Sequence, residues 1–276
     1  MSLSVNTNAG ALVALQNLTS TESQLASAQN EVSTGLAIST PSDNGAIWAI
    51  AQGQRSDSSA LDAVKQSLQR VQSTVDVATS AGTAVSDLLT QLKSTALSAS
   101  DTSLDTSSRT ALSAQFTSLL GQISKVVSSA NFNGANLIKS GATNLQALAS
   151  SDGTSQLTVT AEDLSLGGSN IAGITAGTSI ATSTLATTAL GLVNTAISNV
   201  NNALGNLGSS SNALGGQLTF VSNLQDTINT GVGNLVDANL AAESAKLQAL
   251  QTKQSLGIQA LSIANSSSSS LLSLFR

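Results

Sequence analysis

Glu162 and Asp163 are the only two acidic residues adjacent in this chain. Paired carboxylates can trade a proton or share a hard cation. Here the pair sits in "TAEDLSLGG" with no further ligand residues close by, and it reads as a solvated loop. The other routes to chemistry are closed by residue type. The chain has no His and no Cys, which excludes thiol nucleophiles, imidazole acid–base work, disulfides and zinc sites with Cys or His ligands. The residues three before each lysine are Asp62, Thr90, Gln122, Asn136, Glu243 and Leu250, so no Ser-x-x-Lys nucleophile exists. Gly167–Gly168 and Gly215–Gly216 lack the spacing and the following Lys of a phosphate loop. No catalytic residue, cofactor or metal site is expected, and a structural role is.

Charge narrows the partners. The formal net charge is −5, and the ten basic residues are scattered, with none in residues 1–54 or 140–245. A run of phosphates needs a basic patch, so nucleic acid is not an expected partner, and an anionic lipid surface is served no better. No window approaches the roughly 20 apolar residues of a membrane span. The start, "MSLSVNTNAGALVALQNL", has neither a basic n-region nor an unbroken apolar h-region, so no cleaved signal peptide is expected.

The chain's pattern lies instead in apolar spacing. Of 276 residues, 41% are hydrophobic but only 2% aromatic and 9% charged, a palette of Ala, Leu, Val and Ile suited to thin helix-on-helix packing. The single proline, Pro41, leaves long helices uninterrupted. Near the start, Ala11, Leu18, Leu25 and Val32 recur every seven residues, with Ala14, Thr21, Ala28 and Gly35 beside them. "STG" at 33–35 reads as a helix stop and "TPSDNG" at 40–45 as a turn. A second stripe runs Val64, Val71, Ala78, Val85, Leu92, Ala99, interleaved with Leu68, Val75, Gly82, Leu89 and Ala96. A third helix carries Leu112, Phe116, Leu119, Ile123, Val126 and Ala130, and "NFNG" after it marks a turn.

Between about 139 and 183 the rhythm changes. Leu157, Val159 and Ala161 alternate with polar neighbours, a strand signal amid Gly, Ser and Thr clusters, so a small hairpin with loops is expected. Heptads then return as Val193, Val200, Leu207, Leu214, Val221, Ile228 and Leu235. Gly205, Gly208, Gly215 and Gly216 each cost about 1 kcal/mol of helix propensity there. The interval survives them, which favours one helix or two nearly collinear ones, with "NTGVGN" at 229–234 as the point for a break or kink.

The last segment has two apolar stripes. Leu240, Leu247 and Leu261 lie on one; Ala242, Ala249, Leu256 and Ile263 lie on the other, and Leu271, Leu274 and Phe275 follow. A helix with two apolar stripes needs neighbours on two sides. Paired with the N-terminal helix, it would still leave one stripe bare. The expected intermolecular surface is therefore Ala11, Leu18, Leu25, Val32, Leu240, Leu247, Leu256, Leu261, Ile263, Leu271, Leu274 and Phe275.

Three stretches also carry a resemblance. "VNTNAGALVALQNL" with "EVSTGLAI" and "PSDNGAIWAIAQGQRS", then "ANFNGANLI", then "GNLVDANLAAESAKLQALQTKQSLGIQALSIANSSSSSLLSLF" resemble, in order, the conserved ends of bacterial flagellins. The resemblance implies a mainly α fold of long antiparallel helices and terminal coiled-coil helices, with a small β-hairpin region in the middle. It implies an inner terminal domain of residues 1–40 and 236–276, and an outer helical domain of 41–235 with the hairpin insert around 140–183. It further implies a homopolymer forming the extracellular flagellar filament, exported by the flagellar export apparatus with a flagellin chaperone, and meeting hook-associated and cap proteins. The short middle resembles compact flagellins without outer variable domains. Two departures stand out: Ala37 and Pro41 where the family has Arg and Ala after the glycine stop, and Asn44 where it has a second Asp. The alternative readings are a hook–filament junction protein and a secreted coiled-coil surface protein.

Overall fold

The structure, a computed structural model, describes residues 8–273, with side chains up to residue 266. In chain order it has α1 (Ala9–Thr34), α2 (Pro41–Ser100), α3 (Thr106–Ser129), β1 (Leu145–Leu148), β2 (Gln156–Val159), α4 (Ser183–Val236) and α5 (Leu240–Ser273). The fold is mainly α with one two-stranded antiparallel sheet. The chain divides into two compact units, residues 1–56 with 227–276 and residues 57–226.

Unit 57–226 is built on the second and fourth stripes. Every residue of the Val64–Ala99 stripe named above is buried, and so are Val193, Val200, Leu207, Leu214 and Val221. Cross-helix contacts fix an antiparallel register between α2 and α4. Lys65 Nζ donates to Gln225 Oε1 at 3.1 Å, Gln72 Nε2 to Ser211 Oγ at 2.6 Å, and Gly82 faces Leu204. A Cβ at Gly82 would come within 2.7 Å of Leu204 Cδ2, so glycine is what lets the two helices close there. From α3, Phe116, Leu120 and Ile123 are fully buried in the core. Asp105 caps that helix, its carboxylate accepting the Ser108 N–H at 2.9 Å.

The hairpin pairs Leu145 with Val159 and Leu148 with Gln156. It is tied to both long helices: the Leu148 N–H donates to Ser67 Oγ at 3.1 Å, and Gln217 Nε2 donates to Ala149 O at 3.0 Å. The segment expected to be loops does more than connect. Leu164, Ile171, Ile174 and Ile180 have no solvent exposure, so the irregular chain of 160–182 is a lid of the core.

Two boundaries differ from the sequence expectation. "TPSDNG" is not a free turn: α2 starts inside it at Pro41, and only Asn44 (φ −162°, ψ 99°) leaves helical geometry. Pro41 sits at the first helical position, where its missing N–H costs nothing. Asp43 Oδ2 reaches back to the N–H groups of Ser39 (2.9 Å) and Thr40 (2.8 Å), the acidic half of a capping box. "NTGVGN" does not break α4, which runs on to Val236. Packing around Val232 and Val236 holds this end, against Leu36, Ile38, Ile47 and Ala51.

Unit 1–56 with 227–276 is an antiparallel pair, α1 against α5. Leu18 faces Gly257, and Asn8 Nδ2 donates to Ala264 O at 2.8 Å. Leu25 and Ala28 pack on Leu250 with Leu247. Gly35, at φ 73°, ends α1 in the left-handed conformation that glycine tolerates. The chain beyond it bridges Leu36 to Asp237, with the Ala37 N–H on Val236 O at 2.7 Å and the Ala238 N–H on Gly35 O at 2.9 Å.

Candidate assembly surface

The α1–α5 pair shows how little of two amphipathic helices one partner can cover. On α1 the buried side chains are Thr21, Leu25 and Ala28. Ala11, Leu18 and Val32, on the same stripe as Leu25, are half-buried. Off that stripe, Leu12, Val13 and Leu15 stand open to solvent. Sequence spacing missed these three; their signal was the unbroken apolar run "ALVAL".

On α5 the two stripes separate. Leu247, Leu250 and Leu261 turn toward α1, buried or half-buried. Ala242, Ala249, Leu256 and Ile263 are all exposed, Leu256 by 59% and Ile263 by 69%. Ile258 between them is open as well. Leu240, on the same stripe as Leu247 and Leu261, is exposed at the first residue of the helix. Leu271 falls where side chains are not described, and Leu274 and Phe275 lie outside the described residues.

Along the seam runs a groove of about 380 Å³ lined by Ala14, Leu18 and Thr21 of α1 and by Lys253, Leu256, Gly257 and Ala260 of α5, with Asn17 at its edge. Small side chains make it. Gly257 lets Leu18 approach so closely that a Cβ would sit 3.3 Å from Leu18 Cδ1.

Toward one end of the seam, Glu31, Glu243 and Lys246 form a charged cluster. Lys246 Nζ pairs with Glu243 Oε2 at 3.0 Å, one helical turn apart. Partial desolvation raises the pKa of Glu31 above the ordinary carboxyl value, and the neighbouring Glu243 carboxylate raises it further. The hydrogen bond to Glu243 lifts Lys246. Both members of this pair lie on α5, so what holds α1 to α5 is the apolar contact of Leu25 and Ala28 with Leu247 and Leu250.

The acidic pair with which chemistry could have begun is structural rather than solvated. Glu162 accepts from Asn170 Nδ2 at 3.1 Å and from Asn206 Nδ2 at 2.9 Å, and Asp163 accepts the Ser165 N–H at 2.9 Å. Among the described residues, no three His, Cys, Asp or Glu side chains gather in a way that could hold a metal ion. No described helix is long and apolar enough to cross a membrane. Trp48 is half-buried beside Ile47.

The chain matches known proteins along nearly its whole length. The family profile of the bacterial flagellin N-terminal helical region matches residues 5–143, and that of the bacterial flagellin C-terminal helical region matches residues 190–275. The chain is 55% identical to flagellin FljM of Caulobacter vibrioides over 273 residues, covering 99% of this chain and 98% of the relative. It is 40% identical to a flagellin of Brucella melitensis, covering 99% of both. The crystal structure of Bacillus cereus flagellin superposes with a TM-score of 0.50 at 20% identity, over 56% of this chain and 88% of that one, a likeness of fold.

Proposed function

The chain belongs to the bacterial flagellin family and is a structural subunit of the flagellar filament, and we propose that copies join through the uncovered faces of α1 and α5. The observation that carries this reading is the bare second stripe of α5, Leu256 and Ile263 with Ile258 beside it, on a helix whose first stripe α1 already occupies. Fully burying one such side chain contributes about 1.5–3 kcal/mol, and these are already partly covered. A single helix–helix contact is therefore too small to offset the ordering cost of association, whereas several contacts per copy are not. Contacts between unlike surfaces that do not close on themselves extend into a helical filament.

In this reading Ala11, Leu18, Leu25, Val32, Leu247 and Leu261 complete the seam within each subunit, and Leu240, Leu256, Ile263, Leu271, Leu274 and Phe275 meet neighbours. Residues 1–40 and 236–276, within the compact unit 1–56 with 227–276, form the inner part of the filament, and the unit 57–226 its outer helical part. The family resemblance supports export through the flagellar export apparatus, a chaperone holding the C-terminal segment beforehand, and contact with hook-associated and cap proteins at the filament ends.

The test is the double substitution Leu256→Asp with Ile263→Asp, added as monomer to filament seeds and viewed by electron microscopy. The reading expects no elongation, with circular dichroism of the dilute monomer unchanged. Filaments of normal length would overturn it.

A further inference from the structure

Asn44–Gly45 and Asn133–Gly134 are the two Asn-Gly dipeptides of the chain. Asparagine is thermolabile, and before glycine it is most so, because no Cβ hinders the glycine nitrogen from attacking the preceding side-chain carbonyl. We propose that Asn133 is a latent deamidation site in this subunit, kept silent by the side chain of Asn131.

The local geometry is a tight loop. Phe132 and Ala135 exchange two backbone hydrogen bonds, each 2.9 Å, leaving Asn133 and Gly134 as the two loop residues. Both have positive φ, 48° and 82°, the backbone that favours Asn-Gly in a two-residue turn. Both are exposed, so water reaches the site freely. Asn131 Oδ1 accepts the Gly134 N–H at 2.9 Å. That same proton must leave before the nitrogen becomes a nucleophile. An acceptor seated on it opposes its loss and fixes the direction of the N–H.

The reaction being held back is closed in atoms. Gly134 N bonds to Asn133 Cγ, and the side-chain nitrogen leaves as ammonia, taking up the former amide proton. Water then opens the succinimide at one carbonyl or the other, giving aspartate or isoaspartate. Isoaspartate adds a carbon to the main chain, so the two-residue loop between Phe132 and Ala135 loses its register. Just beyond, Asn136 is buried, donating to Val127 O at 2.7 Å and accepting from the Ile138 N–H at 2.9 Å. The loop thus leads directly into packed chain. Asn44 supplies an internal comparison, since there the asparagine's own Oδ1 accepts a helix N–H, that of Ile47 at 3.2 Å.

The experiment incubates the full-length chain at mildly alkaline pH, both folded and in denaturant, and reads residue 133 by peptide mass spectrometry for ammonia loss and amide-to-acid exchange. Three proteins are compared: wild type, Asn131→Ala and Asn131→Asp, the last because a carboxylate still accepts the Gly134 N–H. The folded wild type should convert far more slowly than the denatured chain. Asn131→Ala, folded by circular dichroism, should convert severalfold faster, about fivefold if one hydrogen bond is lost, and Asn131→Asp should stay near wild type. If Asn131→Ala does not fold, the folded-against-denatured rates of wild type and Asn131→Asp decide the matter. Equal rates in folded and denatured wild type, or a folded Asn131→Ala indistinguishable from wild type, would overturn the proposal.

Discussion

Leu68, Leu89 and Leu92 of α2 have no solvent exposure, whereas Leu256 and Ile263 of α5 are more than half exposed, although all five lie on heptad-spaced stripes. The difference lies in the number of neighbours. In unit 57–226 the stripe of α2 meets α4 in antiparallel register and shares its core with α3, the hairpin and Leu164, Ile171, Ile174 and Ile180. In the other unit, α5 meets one helix, and one helix covers one stripe. The same spacing therefore makes a closed core in one place and leaves an open apolar face in the other. On the proposed reading, a subunit built this way keeps one part stable by itself and leaves the other to be finished by its neighbours.

The comparison is most sharply tested by truncating one large side chain in each unit. Phe116→Ala removes a fully buried ring and should cost about 3–5 kcal/mol in chemical denaturation of the dilute chain. Ile263→Ala, at an open position, should stay within about 0.5 kcal/mol under the same conditions. Similar costs for the two would show that both stripes are equally enclosed in the monomer.

A smaller contrast lies within α4's partner surfaces. Gly82→Val forces atoms against Leu204 and Leu164 and should destabilise by about 1–3 kcal/mol. Gly205→Ala meets nothing within 4 Å and should stabilise α4 by up to about 1 kcal/mol. Thermal melts of the two variants should move in opposite directions; a shared direction would mean that the close approach at Gly82 is not what sets the α2–α4 distance.

The sequence made the long elements legible because their periodicity is long. Val193, Val200, Leu207, Leu214 and Val221 were buried as their interval required, in spite of four glycines. The interval then failed at Leu235, which is 40% exposed, because the neighbours change: Val232 and Val236 turn instead toward Leu36, Ile38 and Ile47. Nothing in a heptad count announces a change of partner. Ile171, Ile174 and Ile180 were illegible for a different reason. They are single apolar residues in Gly- and Thr-rich chain with no period, and only the tertiary fold brings them together. Of the candidate surface, the two stripes of α5 were legible, but which of them α1 would take was not. That choice depends on small residues, Gly257 and Ala28 among them, that let α1 lie close on one side.

The subtlest contrast is in acid. Glu31 binds its proton more tightly in the folded seam, because of desolvation first and Glu243 second. Such a group adds stability as pH falls from neutrality through its folded value, and the gain is complete at the ordinary carboxyl value. Asp101 and Asp105 of the other unit are held below the ordinary value, chiefly by the Ser103 and Ser108 N–H groups, and so lose stability on further acidification. Asp43, held down by the Thr40 and Ser39 N–H groups, acts in the same sense as those two. Trp48 is the chain's one tryptophan and lies in the α1–α5 unit, so its fluorescence reports on that unit. In Glu31→Gln the gain on mild acidification should vanish from the Trp48 signal. A profile identical to wild type would show that the seam does not sense that proton.

Hydrogen exchange read by mass spectrometry, on dilute monomer and on filaments, tests the central claim most directly. The account predicts that peptides from α1 and α5 exchange quickly in the monomer and are strongly protected in the filament. Peptides from α2 between 64 and 99 should be protected in both. Slow exchange of α1 and α5 in dilute monomer, matching that of α2, would contradict it.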